Sequence, residues 1–439
     1  MANGPVWPKG SSSKNLTDFK SLGRGPFTSM YRRLAAETGL PPNAQFFNRL
    51  AAFTGQFRNW KAWFVHLTRY FGEKKYPFPS YPPPQTGIYK VPNELTLSIA
   101  GDWGTGTDEA DNVTQRMAAR EPHYTIHLGD VYYIGDLPEL EQNCLNQQTD
   151  PRYKPVKWEH GTLGSFALNG NHEMYALGGP YFNKFLPTLG PKNADPRGQK
   201  ASYFCLENDY WKVIAIDTGY NSTGPSSLLS FLSGIKFIKC FRKSSCFKPS
   251  SKLPDELLEW LPSATAVGPR ARKPGLILLS HHEYYSGFED WYVKPAEQLK
   301  PYISRRAVLW FWGHEHRMAI YKDFATQNGI NAFGRCIGHG GMPVKRGVKP
   351  DIDECGCVVY DDRRYSNDEN IDVGYNGYIH LTFDADTLRV DYYDVYDKLL
   401  LTETWIVDPQ GELNGPTFSS VSTDRGFIQN DPNYIRQHS

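Results

Sequence analysis

Long apolar runs are missing from this chain of 439 residues: no stretch approaches the ~18 consecutive apolar residues that a membrane-spanning helix needs. An excess of one charge is missing too. Lys and Arg number 48 against 47 Asp and Glu, which gives no electrostatic argument for nucleic acid or an acidic membrane as partner. Cysteine is scarce and odd in number, seven in all, and Cys355-Gly-Cys357 is the only close pair. No paired CxxC elements of the zinc-site kind occur, so reduced thiols are the expectation. The first residues, MANGPVWPKGSSSK, hold no apolar core of a secretory signal, and a cytoplasmic location is expected. No unit of 20–50 residues recurs, which argues against a solenoid or propeller.

What is present divides by pattern. Over residues 1–75, apolar side chains recur at spacings of three and four, as in Trp60, Trp63, Phe64, Leu67 and Phe71. That period predicts an N-terminal helical extension packed on the body. Residues 76–92 begin with the proline-rich run YPFPSYPPPQTG, which cannot be helix or central strand and reads as a stiff linker. From residue 93 to about 408, strand-like and helix-like segments alternate, which implies a sheet covered by helices. Residues 108–121 read as a helix stopped by Pro122.

Two insertions interrupt this region. Residues 219–252 carry Lys236, Lys239, Arg242, Lys243 and Lys248 among apolar positions, and read as a lid or as a basic surface for a membrane or acidic partner. Residues 343–376 contain DDRRYSNDEN and read as a solvated loop. Residues 409–439 are expected to form a C-terminal tail.

The chemistry gathers at strand ends. LTLSIAGDW alternates apolar residues and stops at Gly101-Asp102; YTIHLGD stops at Asp130; SFALNGNHE at Asn171 and His172; GLILLSHH at His281 and His282; AVLWFWGHEH at His314 and His316. A lone strand-end Asp is usually a cap or turn residue, and a lone buried His is usually just hydrogen-bonded. Five strands ending in Asp, Asn or His are hard to explain separately. Oxygen and imidazole donors on one sheet edge are what a cluster of metal ions requires.

The set GDWG (101–104), GDVYY (129–133), GNHE (170–173), LLSHH (278–282) and GHEH (313–316) resembles the calcineurin-like metallophosphoesterase family, with VIAIDT (213–218) and Glu259–Leu261 in support. The resemblance implies an α/β fold, a four-layer αββα sandwich, and two metal ions. Family members usually carry a metal-binding His two residues after the first Asp, where this chain has Gly104. The purple acid phosphatase branch has GDWG and uses a Tyr three residues after the second Asp, which here is Tyr133; Tyr132 is the alternative.

Carried over, the resemblance implies Asp102, Asp130, Tyr133 and His316 around Fe(III). It implies Asp130, Asn171, His281 and His314 around a divalent Fe, Zn or Mn. His281 is preferred to His282 because it directly ends the apolar run 276–279. Asn171, His172 and His339 are expected to meet substrate, the last from the Gly-rich turn CIGHGGMP (336–343). His172 is the expected general acid or hydrogen-bond donor, with His282 in reserve. Glu173 and Asp217 are expected to orient ligand imidazoles, with a satisfied strand-end residue as the equal alternative for Asp217.

The implied activity is hydrolysis of phosphomonoesters by in-line attack of hydroxide formed on the metals. The implied partner is a small phosphate ester, not nucleic acid. A phosphodiesterase using the same site is the alternative. A metal-free scaffold would be marked by lost ligands, and the sequence shows none lost.

Overall fold

The structure is a computed structural model that describes residues 74–151, 153–194, 196–223, 251–267, 272–303, 306–351, 356–365 and 372–439. The expected N-terminal helices, apart from residues 74 and 75, lie outside the described residues. So do the basic stretch of the first insertion and residues 352–355 and 366–371 of the second.

Two sheets, of eight and nine strands among the described residues, pack face to face. In the first, β1 (Glu94–Ala100), β2 (Tyr124–His127) and β3 (Gly164–Ala167) run parallel. In the second, β4 (Trp211–Ala215), β5 (Gly275–Ser280), β6 (Val308–Trp312) and β7 (Ala332–Ile337) run parallel. Antiparallel strands complete both sheets.

The period of two assigns each strand's side chains to layers. Leu97, Ile99 and Ile126 of one sheet meet Val213, Ile277, Leu279, Leu309 and Phe311 of the other in the central core. The alternate residues Ile214, Leu276, Leu278 and Trp310 face outward, against Leu257 and Leu261 of the helix Asp255–Thr265 and Leu299 of the helix Val293–Ile303. On the other side, Ala110, Val113 and Met117 of the helix Asp108–Ala119 cover the first sheet. Thr107 caps that helix by accepting from Ala110 N, and three acidic residues occupy its first turn. The architecture is therefore the expected αββα sandwich.

Register fixes where the chemistry falls. Ala100 pairs with His127, and His127 with Ala167, so β1, β2 and β3 end level. Ser280 pairs with Trp312, and Trp312 with Cys336, so β5, β6 and β7 end level as well. Gly101 N donates to Ile337 O across the sheets at 3.3 Å, which brings the two rows of strand ends together.

Three segments differ from expectation. The proline-rich run is strapped to the body: Tyr81 donates to Tyr203 O at 2.7 Å, Trp260 Nε1 to Thr86 O at 2.7 Å, and Tyr220 to Tyr76 O at 2.8 Å. Residues 409–439 are no tail, because Leu413–Ser419 and Phe427–Gln429 add edge strands to the two sheets and Pro432–Gln437 forms a helix. Short polar-looking strands at a sheet edge lack the apolar run that marks a central strand. The second insertion is not loop throughout, since Cys357–Asp361 is a buried strand. No helix among the described residues is long and apolar enough to cross a membrane.

Candidate metal centre

Three of the expected ligands sit on left-handed backbone: φ is +57° at Asp102, +75° at Asp130 and +63° at His314. Non-glycine residues hold such angles only where surrounding structure enforces them, and they cluster at functional sites. Here the strand stops and turns its first polar side chain inward. The glycines beside them serve close approach. A Cβ on Gly170 would stand 2.1 Å from Asp130 Oδ1, and one on Gly101 would stand 3.0 Å from Gly313 Cα.

Asp130 is central. Its Oδ2 lies 3.0 Å from the Tyr132 hydroxyl, and its Oδ1 lies 3.2 Å from His281 Nε2. On the Oδ2 side, Tyr132 is 2.7 Å from Asp102 Oδ1 and 3.1 Å from His316 Nε2. On the Oδ1 side, His281 Nε2 is 3.1 Å from Asn171 Oδ1 and 3.2 Å from His314 Nδ1. Two donor sets thus meet at one carboxylate. Asp102, Asp130 and His281, and separately His281, His282 and His314, bring donor atoms within 4.8 Å of one another.

Outer contacts aim these donors. His281 Nδ1 lies 2.9 Å from Leu128 O and donates to it, which turns Nε2 toward the cluster. Asp102 Oδ2 accepts from His314 N at 2.7 Å, tying the first sheet to the second. Asn171 Nδ2 donates to Tyr175 at 3.3 Å, so its carbonyl oxygen is the atom turned inward.

Charge at the site favours a cation. Burial opposes ionisation of Asp130, yet His281 and then His172 outweigh it and hold the carboxyl well below its usual range. Burial also disfavours a charged His281, but the Asp130 carboxylate outweighs it and raises the imidazole to about 9. Buried oxygen and imidazole donors converging on a carboxylate that so strongly stabilises positive charge fit the binding of hard or borderline cations.

Most of the expected residues come together: Asp102, Asp130, Asn171, His281, His314 and His316. Tyr133 does not. Its ring packs with Ile134 and Tyr175, and its carbonyl receives His172 Nδ1; Tyr132 supplies the phenol instead. The turn after Asp130 is irregular, so counting residues does not say which tyrosine points inward.

His172 stands at the margin, with its Nε2 3.7 Å from Asp130 Oδ2 and its ring 4.3 Å from that of Tyr132. His282 stands beside His281 and His314, with Nδ1 3.1 Å from Thr218 Oγ1 and its ring against Tyr292. His339 is buried, and a Cβ on Gly377 would stand 2.8 Å from its Nε2. No hydrogen bond links it to the cluster. Its turn acts instead through backbone, Gly340 N reaching Gly101 O at 2.8 Å and Met342 N reaching Asp102 O at 3.1 Å.

Glu173 orients backbone rather than an imidazole. Its Oε2 accepts from Gly170 N at 2.9 Å and Asp130 N at 3.2 Å. Asp217 likewise serves Asn169, Ser202 and Tyr220 N. Sequence reasoning passed over Tyr292 and Tyr175. Tyr175 carries a usable signal, lying one helical turn beyond Asn171, whereas Tyr292 comes from a loop with no pattern of its own.

Comparison with known proteins settles the family. The model of the calcineurin-like phosphoesterase family matches residues 95–318, just over half the chain and the whole span from Asp102 to His316. The chain belongs to that family. Among solved structures, the chain is similar to a purple acid phosphatase, PPD1, from yellow lupin (Lupinus luteus) seeds, 14% identical with a TM-score of 0.46, covering 72% of this chain and 54% of that one. PhoD is 13% identical with a TM-score of 0.43, covering 81% of this chain and 78% of that one. GAP50, described as the anchor in the inner membrane complex of Plasmodium, is 13% identical with a TM-score of 0.40, covering 72% and 90%. The chain therefore spans about half the length of the lupin enzyme. No curated protein matches it.

Proposed function

We propose that this protein is a dinuclear metal-dependent phosphohydrolase, similar to purple acid phosphatases, that hydrolyses phosphomonoesters. The observation that carries the reading is the placement of Asp130, whose two oxygens face different donor sets. Asp102, Tyr132 and His316 with Asp130 would hold one cation, and a phenol among them suits Fe(III). Asn171, His281 and His314 with Asp130 would hold a divalent Fe, Zn or Mn. Two bound cations neutralise phosphoryl oxygens and bring the pKa of water to about 7.

The chain's own residues supply the rest. Asp130 and Asp102, fixed by backbone contacts from Glu173 and His314, keep the donors spaced before substrate arrives. His172 spends Nδ1 on Tyr133 O, so Nε2 is the nitrogen directed to the cluster margin. From there, with both ring nitrogens protonated, it would donate a proton or hydrogen bond to the departing alkoxide.

The test compares turnover of nitrophenyl phosphate and bis-nitrophenyl phosphate, with Asp130→Asn as the blank. Faster hydrolysis of the monoester supports the reading. Faster hydrolysis of the diester would keep the site and make the protein a phosphodiesterase, for a cyclic nucleotide or a glycerophosphodiester. Activity that survives Asp130→Asn would overturn both.

A further inference from the structure

His281 and His314 both face the second of the two donor sets, and His281 has an evident outer partner in Leu128 O. His314 needs one more, because it lies on a turn at φ +63° outside any strand or helix that would dictate its rotamer. Its Nδ1 is 3.2 Å from His281 Nε2, so the remaining nitrogen, Nε2, points away from the cluster. The Tyr292 hydroxyl lies 3.4 Å from that Nε2.

Tyr292 is itself firmly placed. It ends the loop that follows His281 and immediately precedes the helix Val293–Ile303. Ser286 organises the loop: its hydroxyl donates to Glu315 Oε2 at 2.6 Å and accepts from Phe288 N at 2.9 Å. Its carbonyl accepts from Trp291 Nε1 at 2.6 Å. The Tyr292 ring then packs 4.6 Å from that of His282 and edge-on, at 88°, to that of His314. Its position is thus held by the anchored loop before it and by ring contacts with His282 and His314.

We propose that Tyr292 is a positioning residue for His314, accepting a hydrogen bond from Nε2–H and so presenting the Nδ1 lone pair to the second cation. A neutral imidazole carries one proton, and the nitrogen that donates outward decides which nitrogen can ligate. Partners of this kind usually change metal affinity by about 10–100-fold when removed. The inference rests on the dinuclear reading above.

The test is titration of the metal-free full chain with Zn(II), followed by calorimetry, alongside thermal unfolding without metal. Tyr292→Phe keeps the ring against His282 and removes only the hydroxyl. The expected result is two ions per wild-type chain, one of them held about 10–100-fold more weakly in Tyr292→Phe, with the metal-free melting temperature unchanged. Two ions bound by Tyr292→Phe as tightly as by wild type would overturn the proposal and leave the dinuclear reading intact. A lower metal-free melting temperature with unchanged affinity would show that the hydroxyl serves packing alone. Fewer than two ions in wild type would overturn the dinuclear reading and this inference with it.

Discussion

The Tyr132 hydroxyl lies 2.7 Å from Asp102 Oδ1, a contact that joins the ends of β1 and β2 at the first donor set. Its neighbour Tyr133 is turned toward Ile134 and Tyr175. A phenolate bound to Fe(III) absorbs visible light, so the two tyrosines can be told apart by colour. In the iron-loaded protein, Tyr132→Phe is expected to abolish the charge-transfer band and Tyr133→Phe to retain it. The reverse outcome in absorption spectra would restore Tyr133 as the ligand.

His172 is expected to act on the leaving group without holding metal, since Nδ1 is engaged by Tyr133 O and Nε2 sits at the cluster margin. His172→Ala should bind metal as wild type does and lose about 10²–10⁴-fold in turnover, the range for loss of a general acid. Metal analysis with steady-state kinetics checks this. Loss of a metal ion from the variant would make His172 a ligand.

Asp217 predicts a pH dependence of stability. Burial raises its carboxyl to about 6, against hydrogen bonds from Ser202, Tyr220 N and Asn169 that favour ionisation. A folded-state pKa above the unfolded one favours the native state fully below about pH 4, and that contribution is lost as pH rises through 6. The shift corresponds to about 3 kcal/mol. Melting curves from pH 4 to 7 should therefore fall less steeply for Asp217→Asn than for wild type. Parallel curves would show that Asp217 ionises normally.

The layers and the strand-end ligands were legible because both follow from periodicity. Alternation in LTLSIA and GLILLS marks two-sided burial, and the abrupt stop at Asp102 or His281 marks a sheet edge. Parallel strands in register then bring such edges level without further information. Choices inside irregular turns were not legible. Tyr132 and Tyr133 are adjacent, and backbone angles after Asp130, rather than spacing, select between them. His339 illustrates the same limit: its turn reaches Gly101 and Asp102 through backbone, which leaves its imidazole buried elsewhere. The edge strands near the C-terminus carry little apolar signal because, among the described residues, one side of each has no neighbouring strand.

Asp130 carries the central claim, since both donor sets share its carboxylate. Elemental analysis of metal bound per chain, wild type against Asp130→Asn, tests it most directly. The account predicts two ions in wild type and loss of both, or of all tight binding, in Asp130→Asn. Equal metal content in the two proteins would contradict it.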